Sequence, residues 1–458
     1  MARCRLQGVG NSVVVKIALV GAGGFRTPLV HDALVGISSE VPIEPLILHD
    51  VDGRRLERIA AVIEGANRAR SATLGVRTTT NLDEALDGAD VVVVAIRVGG
   101  LEGRIVDEAV PLELGVLGQE TVGPGGVAFA LRTVPEVVRI AATVRDRAPA
   151  AWFVNLTNPV GVVTEAARDV LGSKAVGICD SPTSLWRNAS AAIGRAPTTI
   201  RPAYAGLNHL GWLTAMWDGD RDLLPEVIGG DRLDVVHEAR LAGIARVHER
   251  GLIPNEYLTY YRDTNAVIHS FRRDGSRAEI LAAQQARFYD AAPSDPAAAL
   301  SAWRAAKVER HATYMAEAHD PGEPGSGVPD HQEFGYGDVA AAFVRAVAND
   351  TGERMILGVR NDVAVPRLDD EATVELPCAV RADGPGADPQ RPLPPPERDL
   401  MERVREAERA TAAAAAAPSR RALVDAIAAH PLVPTRELAE RIADGYLERH
   451  GWMRERFA

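Results

Sequence analysis

Cysteine is scarce. Three residues, Cys4, Cys179 and Cys378, stand in a chain of 458, too few and too scattered for a disulfide framework and in keeping with a reducing, cytoplasmic setting. Long apolar runs are missing too: no stretch reaches the roughly eighteen residues of a membrane span. Residues 1–12 lack the apolar core of a signal peptide and read as a tail ahead of the first strand. No stretch dense in Lys and Arg is free of interleaved acids, and the formal charge of −11 excludes the positive field a nucleic-acid binder needs. Internal repeats are absent, and the alanine run at 412–417 is low-complexity helix or linker without chemistry.

What is present fits a soluble globular protein, with 46% hydrophobic and 25% charged residues. The length exceeds one ordinary core and predicts two domains with a cleft between them. From 13 to 179, short β-branched runs (13–20, 46–49, 91–96, 152–154 and 175–178) alternate with helix-forming stretches. Nearly unbroken apolar runs are what strands buried on both faces require, so an α/β fold with a Rossmann-like parallel sheet is expected over 13–200. Beyond Ser181 the alternation gives way to long helical segments, such as 232–250 and 277–289, with a few later strands such as 372–376. An α+β domain over 201–458, carrying substrate and oligomer contacts, is expected there. The segment 382–396, dense in Pro, Gly and Asp, reads as an exposed loop.

The first strand runs into Gly21-Ala22-Gly23-Gly24-Phe25-Arg26, followed by a helix-forming stretch. Glycine at such a turn lets the backbone approach a pyrophosphate, and the helix N-terminus meets its charge. Arg26 occupies the position where the usual fingerprint has its third glycine. Asp50 follows the second strand and is placed to accept hydrogen bonds from a ribose hydroxyl, which selects NAD over NADP.

Polar residues then gather at the ends of later strands, where open parallel sheets bind ligands. They are Arg97-Val98-Gly99-Gly100 leading to Arg104, Asn155-Leu156-Thr157-Asn158-Pro159, and Cys179-Asp180-Ser181-Pro182. Between the first two lies Gly118-Gln119-Glu120-Thr121-Val122-Gly123-Pro124-Gly125-Gly126; Gly206-Leu207-Asn208-His209 and Tyr257-Leu258 follow. Cys179 and His209 are a pair of donors suited to a divalent metal whose open positions substrate hydroxyls would fill. Singly, each has a plainer reading: a small buried hydrophobe, a satisfied polar group and, for Tyr257, an amphipathic packing residue.

In this order the motifs resemble glycoside hydrolase family 4, the NAD- and metal-dependent 6-phosphoglycosidases, from about Lys16 to Trp452. This family departs from the two-carboxylate scheme of most glycosidases. The resemblance implies oxidation of the sugar at C3 by NAD, loss of the C2 proton, elimination of the aglycone, addition of water and return of the hydride. It places Mn²⁺ or another divalent metal on Cys179 and His209 and makes Tyr257 the base at C2. Asp180 becomes the acid for the leaving group, and Asn158 a contact to sugar hydroxyls. Arg97, Arg104 and Arg277 become the grip on the 6-phosphate, since guanidinium forks match phosphate geometry. Asp180 is like the α-specific members, whereas Arg97-Val98-Gly99-Gly100 is like the β-type, and the β-type wording favours a 6-phospho-β-glucosidase. A 6-phospho-α-glucosidase or a relative acting on unphosphorylated sugars is the nearest alternative. Two readings come from other classes. One is an NAD-dependent 2-hydroxy-acid dehydrogenase, which leaves Cys179 idle; the other is a non-catalytic NAD sensor, which Cys179, His209 and Tyr257 argue against. The expected assembly is a homodimer or homotetramer.

Overall fold

The structure is a computed structural model that describes residues 14–290, 295–315 and 335–458. The expected tail at 1–12, and Cys4 with it, lies outside the described residues. Six parallel strands come first: β1 (Ile17–Val20), β2 (Leu46–His49), β3 (Val76–Thr79), β4 (Val91–Val94), β5 (Trp152–Asn155) and β6 (Ala175–Gly177). Across the sheet they stand in the order β3-β2-β1-β4-β5-β6, the arrangement of a Rossmann fold, in which strand order reverses between β1 and β4. The apolar runs explain the burial. Ile17, Leu19, Val91 and Val93 enter one core, while Ala18, Val20, Val92 and Val94 enter another on the opposite face, as a period of two demands.

The sheet continues. Strand β11 (Glu353–Arg360) meets β6 antiparallel at Gly358 and Gly177. Beyond it lie β12 (Thr373–Arg381), β7 (Arg201–Leu207), β8 (Leu210–Asp218) and β10 (Ile253–Pro254). The two-residue β9 (Arg221–Asp222) pairs with β8, and β13 (Gly384–Ala387) pairs with β12. Among the described residues, strands from both halves of the chain thus share one thirteen-stranded sheet.

Two expectations need correction, and one strand was not expected. Residues 232–250 do not form one helix: a 3₁₀ turn and the helices His237–Ala242 and Ile244–Arg250 replace it. The break falls at Gly243, whose φ of +88° lies outside helical space. The 382–396 loop contains β13, and Pro395 opens a helix that runs to Ala416 through most of the alanine run. Strand β3, with sequence VRTT at the sheet edge, is half exposed and offers no apolar run to read.

Candidate active site at the carboxyl edge of the sheet

The turn after β1 sits where strand order reverses. Gly21 has a φ of +90°, and a Cβ there would lie 2.4 Å from the Ala95 carbonyl oxygen beyond β4. Gly23 donates its N–H to Asp50 Oδ2 at 2.8 Å, and a Cβ on Gly23 would meet that oxygen at 2.9 Å. The other oxygen of Asp50 accepts from Asp52 N at 3.0 Å, while Asp52 caps the helix Gly53–Arg68. At Gly24 a Cβ would meet the Gly21 carbonyl oxygen at 3.0 Å. The turn is therefore a bare-backbone cradle with a carboxylate at its rim, which fits a dinucleotide. Later helices hold it: the Tyr289 hydroxyl donates to Gly23 O at 2.7 Å and Trp303 Nε1 to Phe25 O at 2.9 Å. The Phe25 ring packs edge-on against Phe288 at 5.5 Å, so only its backbone belongs to the cradle. Arg26 leaves the turn altogether. Its guanidinium lies over the Tyr336 ring at 4.6 Å and 3.9 Å from the Asp180 carboxylate.

Beyond β4 the arginines meet a buried acid. Arg97 forms an ion pair with Glu120, and Arg104 reaches the second oxygen of Glu120 at 2.9 Å while donating to Glu108 at 2.6 Å. Burial would raise the Glu120 carboxyl, but Arg104 and Arg97 hold it down to about 2. Arg277 donates to Thr313 O at 2.7 Å and to Arg310 O at 3.2 Å, so it also ties down the end of the helix Pro296–Ala312. Arg310 itself is driven far below the usual guanidinium range, first by burial and then by Arg26, Arg277, Arg97 and Arg104. Five guanidinium groups thus share one field, a strong call for an anion. Arg310 was not found from sequence, because it sits in a helical stretch with no motif around it.

The Cys179 and His209 side chains come from the ends of β6 and β7. Cys179 is buried, and burial, Glu375 and Asp180 push its thiol up. His209 adopts a φ of +62° in the β7–β8 turn. Its Nδ1 is 2.6 Å from Thr121 Oγ1, whereas Nε2 is buried without a hydrogen-bond partner. Burial lowers the imidazole to about 4, which keeps it in the neutral, ligating form. Among the described residues no group of three or more His, Cys, Asp or Glu side chains converges on a metal position. A cation held by the Cys179 thiol and the orphaned His209 Nε2 would rest on two protein ligands and leave positions for substrate.

The Tyr257 ring is stacked on His209, centroids 3.5 Å apart and planes 5° from parallel. Its hydroxyl is 3.4 Å from that of Tyr314, which donates to Glu256 at 2.8 Å. Burial, Glu256 and Cys179 push the Tyr257 phenol well above its ordinary range. Burial raises Asp180 to about 6 against the opposing pull of Arg26. The Asn158 side-chain oxygen is buried without a hydrogen-bond partner among the described residues. Arg26 links the turn after β1 to Asp180, and Tyr314 links Tyr257 to Glu256; Tyr314, Tyr336 and Arg310 are additions that carried no sequence signal of their own.

Comparison with known proteins defines the class. A family model described as "Family 4 glycosyl hydrolase" matches residues 16–193, and one for the C-terminal domain of the same family matches 204–433. The chain belongs to the family 4 glycosyl hydrolases. It is 29% identical to the maltose-6'-phosphate glucosidase of Bacillus subtilis over 94% of this chain and 95% of that one. Among solved structures, the 6-phospho-beta-glucosidase of Thermotoga maritima with NAD and glucose-6-phosphate superposes with a TM-score of 0.80 at 26% identity, covering 96% of this chain and 99% of the other. A 6-phospho-alpha-glucosidase from gut microorganisms, in complex with NAD and Mn²⁺, gives 0.78 at 25% over the same shares. Relatives of both anomeric kinds match, so membership does not select between them. No helix among the described residues is long and apolar enough to cross a membrane.

Proposed function

We propose that this glycoside hydrolase cleaves 6-phosphoglucosides and depends on NAD and a divalent metal such as Mn²⁺. The observation that carries the reading is the convergence at one sheet edge of the Gly21–Asp50 cradle, the Cys179 and His209 pair, and Tyr257 stacked on that histidine. NAD would lie on Gly21, Gly23, Gly24 and the Phe25 backbone, with Asp50 on its ribose, and the metal on Cys179 and His209; bound there, they supply reversible hydride removal at C3 and Lewis acidity toward the sugar oxygens.

The chain's own residues do the rest. Tyr257 takes the proton from C2: its ring is held against His209 and its hydroxyl lies 3.4 Å from that of Tyr314. A buried phenol of raised pKa can act as base only beside positive charge, which is why it needs a cation on the adjacent pair. Asp180, at about 6, is protonated often enough to pass a proton to the leaving oxygen, with Arg26 orienting its carboxyl. Asn158 offers its unpartnered oxygen to a sugar hydroxyl. Arg97, Arg104 and Arg277, joined by Arg310, receive the 6-phosphate, an anion that would relieve their mutual repulsion.

The β-type wording of residues 97–100 favours the β anomer. Residues 13–200 serve as the NAD-binding domain and 201–458 as the substrate and oligomerisation domain of a cytoplasmic homodimer or homotetramer, an assembly that light scattering checks. The test is a screen of phosphorylated and unphosphorylated α- and β-glucosides with NAD and Mn²⁺. Cleavage confined to the 6-phosphates is expected; cleavage without NAD, or NADH accumulating one for one with product, would overturn the proposal.

A further inference from the structure

Glu375 is 2% exposed in the middle of β12. A carboxyl so buried is costly unless it has a task. Around it act an amide, a phenol and two further carboxyls, and Glu375 in turn raises the Cys179 thiol. In register, Glu375 stands opposite Gly206 of β7, two residues before Asn208. Asn208 Nδ2 donates to Glu375 Oε1 at 3.0 Å, and Asn208 Oδ1 accepts from Val160 N at 3.1 Å. Val160 opens the helix that follows Asn158-Pro159, so this bond satisfies one of the helix's first unpaired N–H groups. Asn208 immediately precedes His209. One side chain thus joins the loop that carries Asn158 to the loop that carries His209, and Glu375 fixes that side chain from below.

A branch leads to the third loop. Glu375 Oε2 makes no ordinary hydrogen bond, and the buried Tyr204 phenol acts on the carboxyl from a longer reach. Asn255 Nδ2 donates to Tyr204 Oη at 3.4 Å, and Asn255 Oδ1 accepts from Tyr257 N at 3.0 Å.

We propose that Glu375 is a positioning residue: through Asn208 it holds the His209 and Asn158 loops in one fixed relation, without itself touching sugar or cofactor. The inference rests on the reading of Cys179 and His209 as the metal pair. Burial pushes the Glu375 carboxyl up to about 8, so it stands mostly neutral at pH 7, and a glutamine amide reproduces the oxygen that Asn208 needs.

The test compares Glu375→Ala, Glu375→Gln and Asn208→Ala with the wild type by titrating Mn²⁺ calorimetrically and by measuring NAD affinity, kcat, KM and Tm. Glu375→Ala should weaken Mn²⁺ binding and lower kcat, each on the order of 10- to 100-fold, the usual loss when the support of a ligating residue is removed, with NAD affinity little changed. Glu375→Gln should restore most of both. Asn208→Ala should reproduce the losses, and adding Glu375→Ala to it should cost little more, as expected of two members of one chain. If Glu375→Ala does not fold, Asn208→Ala and Glu375→Gln carry the test. A folded Glu375→Gln as impaired as the alanine variant would show that the ionisable carboxyl does chemistry, and unchanged Mn²⁺ affinity in Glu375→Ala or Asn208→Ala would remove the positioning role. If the wild type binds no Mn²⁺, the metal reading fails first, a result distinct from a wild type that binds and variants that bind equally well.

Discussion

At the scale of the residue, the site separates groups that shape space from groups that do chemistry. Gly23 shapes space: a methyl group there would meet Asp50 Oδ2 at 2.9 Å and Arg55 Cβ at 3.0 Å, so the hydrogen bond that sets the cradle's rim must shift. Gly23→Ala should raise the Kd for NAD about ten- to a hundredfold, the loss of one hydrogen bond to a charged group at about 1.5 to 3 kcal/mol. Mn²⁺ binding should be preserved, and equal loss of both in titrations would place Gly23 outside a cofactor-specific role. Tyr257 is the opposite case. Its ring packs on His209 whether or not it carries a hydroxyl, so Tyr257→Phe should keep the wild-type Tm and Kd for NAD while kcat falls at least a hundredfold, as removal of a general base does. A variant that retains full kcat would transfer the base role to another group. The sequence made Gly23, Asp50, Cys179, His209 and Tyr257 legible because each lies in a local motif. Tyr314 and Arg310 were not, because they join the site through chain separations that no motif spans: Tyr314 meets Glu256 across 58 residues.

At the scale of the element, the parallel half could be read except for β3, whereas of the antiparallel half only β12 was foreshadowed, by the run at 372–376. Buried parallel strands announce themselves as runs such as Val91–Val94, whereas β7 and β8 mix Gly, Thr, Trp and Arg with their apolar residues and alternate poorly. Nor could sequence show that β11 continues the sheet from β6 by way of facing glycines, Gly177 and Gly358. The helix Pro395–Ala416, which packs on the helices Pro124–Arg147 and Val160–Leu171, carries a testable electrostatic feature. Arg405 on that helix binds Glu165 at 2.7 Å and Asp369 at 2.8 Å. With Arg405 so engaged, burial raises Glu408 to about 8 even though Arg405 pulls the other way. The folded state therefore holds the Glu408 proton more tightly than the unfolded chain, whose carboxyl titrates at about 4.3. Between these values the folded state binds more protons, so this contribution to stability is full below about 4.3 and is lost as the pH rises toward 8. Glu408→Gln removes the titration. Thermal melts from pH 5 to 9 should show the glutamine variant gaining on the wild type as pH rises, and a constant offset between the two would contradict the buried, protonated carboxyl.

At the scale of the whole molecule, one continuous sheet carries both the cradle after β1 and the His209 turn after β7. The proposed chemistry needs both at once, and that separates it from its rivals in one experiment. Elimination requires the C2 proton to leave, whereas direct displacement at C1 never touches it. Turnover in D₂O should therefore place deuterium at C2 of the released sugar, because a proton held on the Tyr257 hydroxyl, beside the Tyr314 hydroxyl at 3.4 Å, can exchange before it returns. NADH should not accumulate, since the hydride goes back to C3 within the same cycle. A 2-hydroxy-acid dehydrogenase would build up NADH one for one with product, and a two-carboxylate glycosidase would work without NAD and leave C2 unlabelled. Tyr257→Phe should slow labelling and cleavage together, because one proton transfer governs both. Tyr257 is stacked and half-buried, so substrate deuterated at C2 supplies a second arm independent of exchange: a primary isotope effect on kcat or kcat/KM is expected when proton removal limits the rate. Full cleavage with no label, no isotope effect and no need for NAD would show that the two ends of the sheet do not act in one reaction.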